Sequence, residues 1–237
     1  MNLPAPLAVY RRLLKTFGPQ GWWPVTPPRG VRPRYVPGSD GRLSERQRLE
    51  VCVGAILTQN TNWGNVEKAL SRLHGDGIRD LRDFQGLRRA RLEGLIRSSG
   101  YYRQKAIKLM EFVRHLSRRG GRVGDWLGSD LPALRSELLG LHGIGPETAD
   151  SILLYAAHRP AFVIDAYTLR IGARLGWWRR ADYERAQTYI ARRVPRDASL
   201  YNEMHALFVA LAKKHCRKLP LCPGCPLKEV CRHGHSR

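Results

Sequence analysis

Cys216, Cys222, Cys225 and Cys231 stand at the spacing C-x5-C-x2-C-x5-C, so four of the five cysteines of this chain lie between 216 and its end. Four thiolates packed this densely can enclose a tetrahedral Zn²⁺ or ligate a [4Fe–4S] cluster, since both accept four Cys. A single CxxC with a wider arm on each side points to the cluster ahead of zinc. Arg217 and Lys218 lie in the first arm; a loop pinned at both ends by a metal would hold such cations rigidly toward phosphates. A second stretch with chemical potential is Leu139 to Ala149, Leu-Gly-Leu-His-Gly-Ile-Gly-Pro-Glu-Thr-Ala. Gly143 and Gly145 flank one apolar residue, and glycine permits positive φ and close backbone approach. Amide groups at the start of the next helix favour anions, with phosphate the natural ligand. The alternative is a plain helical hairpin with a glycine cap.

Charge tips that balance. Lys plus Arg is 41 against 20 for Asp plus Glu, a formal net charge of +21, the electrostatic footprint of a nucleic-acid binder. A hydrophobic content of 43% is ordinary for a globular protein and argues against wholesale disorder. No apolar run approaches the roughly 20 residues of a membrane span, and the N-terminus lacks the basic and apolar regions of a signal peptide. The expectation is a cytoplasmic, nucleoid-associated chain with reduced thiols, which favours a metal or cluster site over disulfides. Cys52, alone in an apolar run, reads as core.

The elements that must position these residues read as helices. Leu7, Tyr10, Leu13, Leu14 and Phe17 mark an amphipathic helix over 6–17, ended by Gly18-Pro19. Trp22 and Trp23 precede Pro24; they are either a hydrophobic plug or a flat wall for a base. Residues 24–42 are rich in proline, glycine and arginine and read as a loop in which Arg29, Arg32, Arg34 and Arg42 are solvated. The apolar run Leu49–Leu57 is too short for periodicity to assign. Thr58-Gln59-Asn60-Thr61-Asn62 follows it and can cap a helix that begins near Trp63. Two short helices meet near Gly86, and a longer one spans Gln104–Arg118 with a basic outer face. Ser129-Asp130-Leu131-Pro132 opens the helix that runs into the hairpin. Asp165 follows a buried connection and precedes a helix over 166–175, and further helices cover 183–193 and the stretch from Leu200 to Lys214. No segment alternates like a strand for long, so the chain is all-α.

Together the Leu-x-Gly-Ile-Gly hairpin, the apolar stretch ending in Asp165 and the C-terminal four-Cys loop resemble the endonuclease III branch of the helix-hairpin-helix DNA glycosylases. Ile56–Thr61 is similar to that family's Gln-bearing segment facing DNA, which brings in Gln59, and Gly100–Ala106 to its Gly-Tyr/Phe-x-x-x-Lys-Ala turn. The resemblance implies two helical domains: a six-helix barrel over 44–159 holding the hairpin, and an iron–sulfur domain from 1–43 and 160–237. It implies double-stranded DNA as partner, bound by a monomer, with Leu141, Gly143, Gly145, Arg217 and Lys218 as DNA contacts and the damaged base flipped between the domains. Two departures stand out. The family's first cysteine spacing is one residue longer. More important, bifunctional members carry a lysine two residues after the second hairpin glycine, the nucleophile of a Schiff base, and the matching residue here is Glu147. AP-lyase activity is therefore not expected. Asp165 matches the family's catalytic aspartate; as a helix N-cap it would stay ionised and could stabilise an oxocarbenium-like sugar. Glu147 either positions water or fills the vacated space.

Gly18–Pro24, Thr58–Thr61, Gly143–Asp150 and Val163–Tyr167 further resemble the 3-methyladenine DNA glycosylase III type, whose base sits between aromatic walls; Trp22, Trp23, Pro24 and Trp63 match those positions. An N-alkylated purine is cationic, and each indole face attracts it by roughly 0.5–2 kcal/mol. The implied function is a monofunctional base-excision-repair glycosylase for an alkylated purine such as 3-methyladenine. The alternatives are an endonuclease III-type glycosylase for oxidised pyrimidines and an inactive damaged-DNA-binding protein. Lys213 reads as a solvated helix end.

Overall fold

A computed structural model describes residues 3–37 and 42–235. They are helical throughout, with one antiparallel bridge, Val25 to Arg34, among the described residues. The chain divides into two compact units: Trp23–Tyr35 with Ser39–Arg159, and Met1–Trp22 with Val36–Gly38 and Pro160–Arg237. The sequence reading placed all of 1–43 with the C-terminal segment. Instead, 23–35 joins the hairpin-bearing unit, because it is hydrogen-bonded there: Thr26 N and Oγ1 both donate to the Glu50 carboxylate, at 3.0 and 2.8 Å.

In the hairpin-bearing unit, α2 (Glu45–Thr58) begins at a capping box, where Gln47 N donates to Ser44 Oγ at 3.3 Å and Ser44 N donates to Gln47 Oε1 at 3.1 Å. Every residue from Leu49 to Leu57 is buried. That explains why the run showed no helical period: α2 is central, and a helix surrounded by others is apolar on all sides. It packs against α3 (Trp63–Gly75, capped by Asn62), α6 (Tyr102–Arg118) and α7 (Val123–Leu127). Between α3 and α6 lie α4 (Leu81–Gln85) and α5 (Arg89–Leu95). The period predicts Ala106, Leu109, Met110, Val113 and Leu116 as the inner face of α6; all are buried except the half-buried Met110, and Phe112 joins them. Then α8 (Leu131–Leu139), capped by Asp130, leads through the hairpin to α9 (Pro146–Ser151). α9 widens into a π-helical turn over Ile152–Ala156, marked by Ala157 N donating to Ile152 O at 3.1 Å.

The other unit is built on α12 (Ala198–Lys214), which packs against α1 (Pro6–Phe17) and α10 (Ala166–Leu175). The buried face of α1 is Pro6, Val9 and Leu13, a stripe shifted from the Leu7–Tyr10–Leu14 face read from sequence. Phe162, Tyr201 and Phe208 meet edge to face in the core. Gly172 admits the Trp178 ring, which would lie 2.1 Å from a β-carbon there. α11 (Tyr183–Ala191) follows α10 in the chain, and the short α13 (Arg232–His235) packs against α10.

Candidate functional site

The hairpin is a rigid object before any ligand arrives. Asp150 on α9 is fully buried, and Arg135 on α8 grips it with both prongs, Nε to Oδ1 at 2.8 Å and Nη2 to Oδ2 at 3.1 Å. Between these helices the chain turns with Ile144 N donating to Leu141 O at 3.1 Å, and Ile144 is buried as the anchor. Gly143 has φ +75°, the left-handed region glycine favours. Gly143, Gly145 and Glu147 are exposed and Leu141 half-buried. A β-carbon at Gly145 would stand in open space, so glycine there leaves a bare backbone surface that a ligand backbone can approach. Glu147 offers a carboxylate where a lysine would have offered an amine.

Gln59 is tied to the hairpin by its side-chain amide. Its Nε2 donates to Gly143 O at 2.8 Å and to Thr148 Oγ1 at 3.0 Å, while its Oε1 accepts from Lys108 Nζ at 2.6 Å. The amide is engaged at both ends in holding the hairpin. Lys108 was not singled out from sequence. Its only signal is a cation on the basic face of α6, and its side chain lies within 3 Å of where a Gly143 β-carbon would be. Just upstream, Lys105 is buried, donates to Leu57 O at 2.8 Å and Ser99 O at 2.7 Å, and burial depresses its ammonium to about 8.

The tryptophans divide. Trp23 and Trp63 meet edge to face at 5.2 Å, and Trp23 also meets Tyr155 of the π-helical turn at 5.1 Å. Trp23 rests on Gly54 of α2, where a β-carbon would come within 3.1 Å of the ring. Pro24, the residue after Trp23, is buried and does not present an open face to a base. Trp22 belongs to the other unit, where its carbonyl accepts from Asn202 Nδ2 at 2.8 Å and its ring faces His205 edge-on at 6.4 Å.

Asp165 caps α10: its Oδ1 accepts from Thr168 N at 2.7 Å. Its Oδ2 lies 3.6 Å from Nε2 of His205, a buried residue of α12. Burial by itself would push the Asp165 carboxyl up. The His205 contact, then the Thr168 N–H, outweigh that and hold it below the usual aspartate range. The carboxylate therefore stays ionised in a site only 14% exposed.

Cys216 follows α12. Arg174 of α10 donates to Cys216 Sγ at 3.2 Å, to Arg217 O at 2.6 Å and to Lys218 O at 2.9 Å, and Arg170 Nε donates to Cys216 O at 2.8 Å. The backbone of this loop is clamped while the side chains of Arg217 and Lys218 stay exposed. Burial first, then the neighbouring thiols, push the Cys225 and Cys231 thiols up. Arg174 ties two of the cysteines together: Cys231 Sγ donates to its carbonyl at 3.4 Å, while its guanidinium donates to Cys216 Sγ. Among the described residues no three His, Cys, Asp or Glu side chains close into a group that could hold a metal ion. Lys213 is exposed in the last turn of α12, with its carbonyl accepting from Arg217 Nε at 2.9 Å. No helix among the described residues is long and apolar enough to cross a membrane.

The chain is similar to known proteins. Residues 53–196 match the HhH-GPD superfamily of base excision DNA repair proteins. The chain is 38% identical over 226 residues, 94% of each chain, to a Methanocaldococcus jannaschii protein named "Putative DNA repair glycosylase MJ1434". It is 32% identical over 195 residues to endonuclease III of Thermotoga maritima, covering 81% of this chain and 86% of that one. In fold it is similar to the H. pylori 3-methyladenine DNA glycosylase MagIII bound to 1,N6-ethenoadenine, with TM-score 0.71, 24% identity and 89% and 98% of the two chains covered. It is similar too to a trapped endonuclease III–DNA covalent intermediate, with TM-score 0.74, 23% identity and 99% of each chain covered. The chain belongs to the HhH-GPD superfamily and is an endonuclease III-like DNA glycosylase of base excision repair.

Proposed function

We propose that this glycosylase releases an alkylated purine such as 3-methyladenine from duplex DNA by hydrolysis and leaves the strand uncut. The observation that carries the reading is a pairing of opposites. An ionised carboxylate is held in a nearly buried place at Asp165, and a carboxylate, Glu147, stands where a lyase would need an amine. In the reaction the bond from C1′ to the base nitrogen breaks with its electron pair going to the base, and water adds to C1′. A base that begins as a cation leaves neutral, so it needs no general acid. Asp165 stabilises the oxocarbenium-like sugar and takes the proton of the incoming water. Trp22, Trp23 and Trp63 offer indole surfaces suited to a cationic base, each worth roughly 0.5–2 kcal/mol. Glu147 occupies space at the hairpin and takes no part in the bond change.

The DNA contacts in this reading are the bare backbone at Leu141, Gly143 and Gly145 together with Arg217 and Lys218, and the chain acts as a monomer. The cysteine donor set fits a [4Fe–4S] cluster, with zinc second: the four thiols lie on one short stretch, and Arg174 touches both Cys216 and Cys231. When bound, the cluster supplies rigidity, fixing the arm that carries Arg217 and Lys218. The kinship with endonuclease III of Thermotoga maritima supports a second reading, excision of oxidised pyrimidines. Base release from duplexes carrying 3-methyladenine, hypoxanthine or oxidised pyrimidines separates the two. The alkylated purine is expected to be released fastest, and preference for an oxidised pyrimidine would overturn the assignment. Loss of base release in Asp165→Asn with DNA binding intact is expected, and no release by wild type from any duplex would favour a binding-only protein.

A further inference from the structure

We propose that His205 is a positioning residue for base release: from α12 it fixes the Asp165 carboxylate and the Trp22 ring in one arrangement. The proposal rests on the reading of Asp165 as the catalytic carboxylate. Capping α10 requires only one oxygen of Asp165, and Oδ1 fills that need through Thr168 N at 2.7 Å. The second oxygen would otherwise be free to swing about χ2, a soft torsion for a carboxylate. His205 Nε2 stands 3.6 Å from Oδ2, beyond hydrogen-bond length but close enough for the ring to crowd that oxygen and narrow the swing. Capping alone does not call for such a neighbour. Asp130, Asp182 and Asp197 cap their helices from exposed positions.

His205 is buried on a 17-residue helix packed against both α1 and α10, so its ring is itself held. The same turn of α12 secures the chain bearing Trp22. Asn202 Nδ2 donates to Trp22 O at 2.8 Å, Glu203 Oε1 accepts from Gln20 N at 2.8 Å, and the His205 ring meets the Trp22 ring edge-on. One helical turn thereby sets the position of a carboxylate for the sugar and of an indole for a base. Catalytic groups held this way lose little entropy in reaching the transition state, whereas a displacement of about 1 Å can cost on the order of 100-fold in rate.

Two variants separate the roles of the ring. His205→Phe keeps an aromatic ring toward Trp22 and removes the polar ring nitrogen beside Asp165; His205→Gln keeps a polar group and removes the ring. The readouts are single-turnover release from a duplex carrying 3-methyladenine, affinity for a duplex carrying a tetrahydrofuran abasic analogue, and thermal melting. The expectation for His205→Phe is a single-turnover rate about 100-fold lower with affinity within about twofold of wild type. His205→Gln should recover at least about tenfold of that loss. A melting temperature lowered equally in both variants, with equal rates, would make the histidine merely structural and overturn the proposal. Full-rate release by His205→Phe beside an inactive Asp165→Asn overturns the proposal alone. Wild type without release, or Asp165→Asn as fast as wild type, overturns the reading of Asp165 and the proposal with it.

Discussion

Gln59 and Gly143 are joined by a hydrogen bond of 2.8 Å from the side-chain amide to the hairpin carbonyl, so the Gln-bearing segment after α2 and the glycine turn before α9 form one mechanical piece. Thr148 and Lys108 complete it. Gln59→Ala removes these bonds at a cost of about 1–1.5 kcal/mol in hairpin order, which should weaken duplex binding about tenfold. The slope of log Kd against log salt should not change, because no phosphate-neutralising cation is lost. Titration of a fluorescent duplex at several salt concentrations measures both; a flatter slope would mean that Gln59 acts by steering Lys108 onto a phosphate.

Glu147→Lys tests why strand cutting is absent from the proposed reaction. A lysine at this exposed hairpin position can attack C1′ of an abasic site, lose water to form an imine, and be fixed as a secondary amine by borohydride. The variant should yield a trapped protein–DNA adduct with an abasic duplex, at least about tenfold above wild type, seen as a shifted band on a denaturing gel. An equally strong adduct from wild type would show that another amine serves as nucleophile.

The ion pair of Arg135 with the fully buried Asp150 joins α8 to α9. Truncating the arginine leaves a buried charge without its main partner, a change that costs about 3–5 kcal/mol. Arg135→Ala should therefore lower the urea midpoint sharply, and an Arg135→Ala/Asp150→Asn double variant should recover much of the loss. A double variant no more stable than the single would locate the cost in lost packing.

Glu50 gives the hairpin-bearing unit a signature in pH. Burial pushes its carboxyl from 4.5 up to about 7, against the opposing Thr26 bonds and Arg46. The folded state then binds a proton that the unfolded state releases between these values, so stability falls as pH rises through that window. The span corresponds to on the order of 3 kcal/mol. His74, 3.9 Å away and depressed to about 4 by burial, works in the opposite sense, losing stability as pH falls from 6.5 toward 4. Glu50→Gln leaves His74 in place, so the difference between wild type and variant reports Glu50 together with its coupling to His74. Urea melts at pH 5 and pH 8 should show Glu50→Gln gaining on wild type as pH rises; a pH-independent difference would mean that Glu50 titrates as an ordinary exposed carboxylate.

The all-helical class, the hairpin, the cap at Asp165 and the crowding of the cysteines were legible in the sequence, because each is a local matter: glycine spacing, a capping side chain, an amphipathic period, thiols close along the chain. Only the tertiary structure decided what depends on neighbours distant in sequence. Leu49–Leu57 is a central helix whose uniform burial erased its own period. Trp22 and Trp23, adjacent in the chain, belong to different units because Thr26 is bound to Glu50 while the Trp22 carbonyl is bound to Asn202. The sequence places Gln59 on a DNA-facing segment, but only the fold brings Gly143, Thr148 and Lys108 to its amide. His205 reads as one polar residue in an apolar helix until α12 packs on α10 and brings it to Asp165. Backbone propensity acts over a few residues and is written in order along the chain. A side chain's partner is fixed by burial, and burial is set by the whole fold.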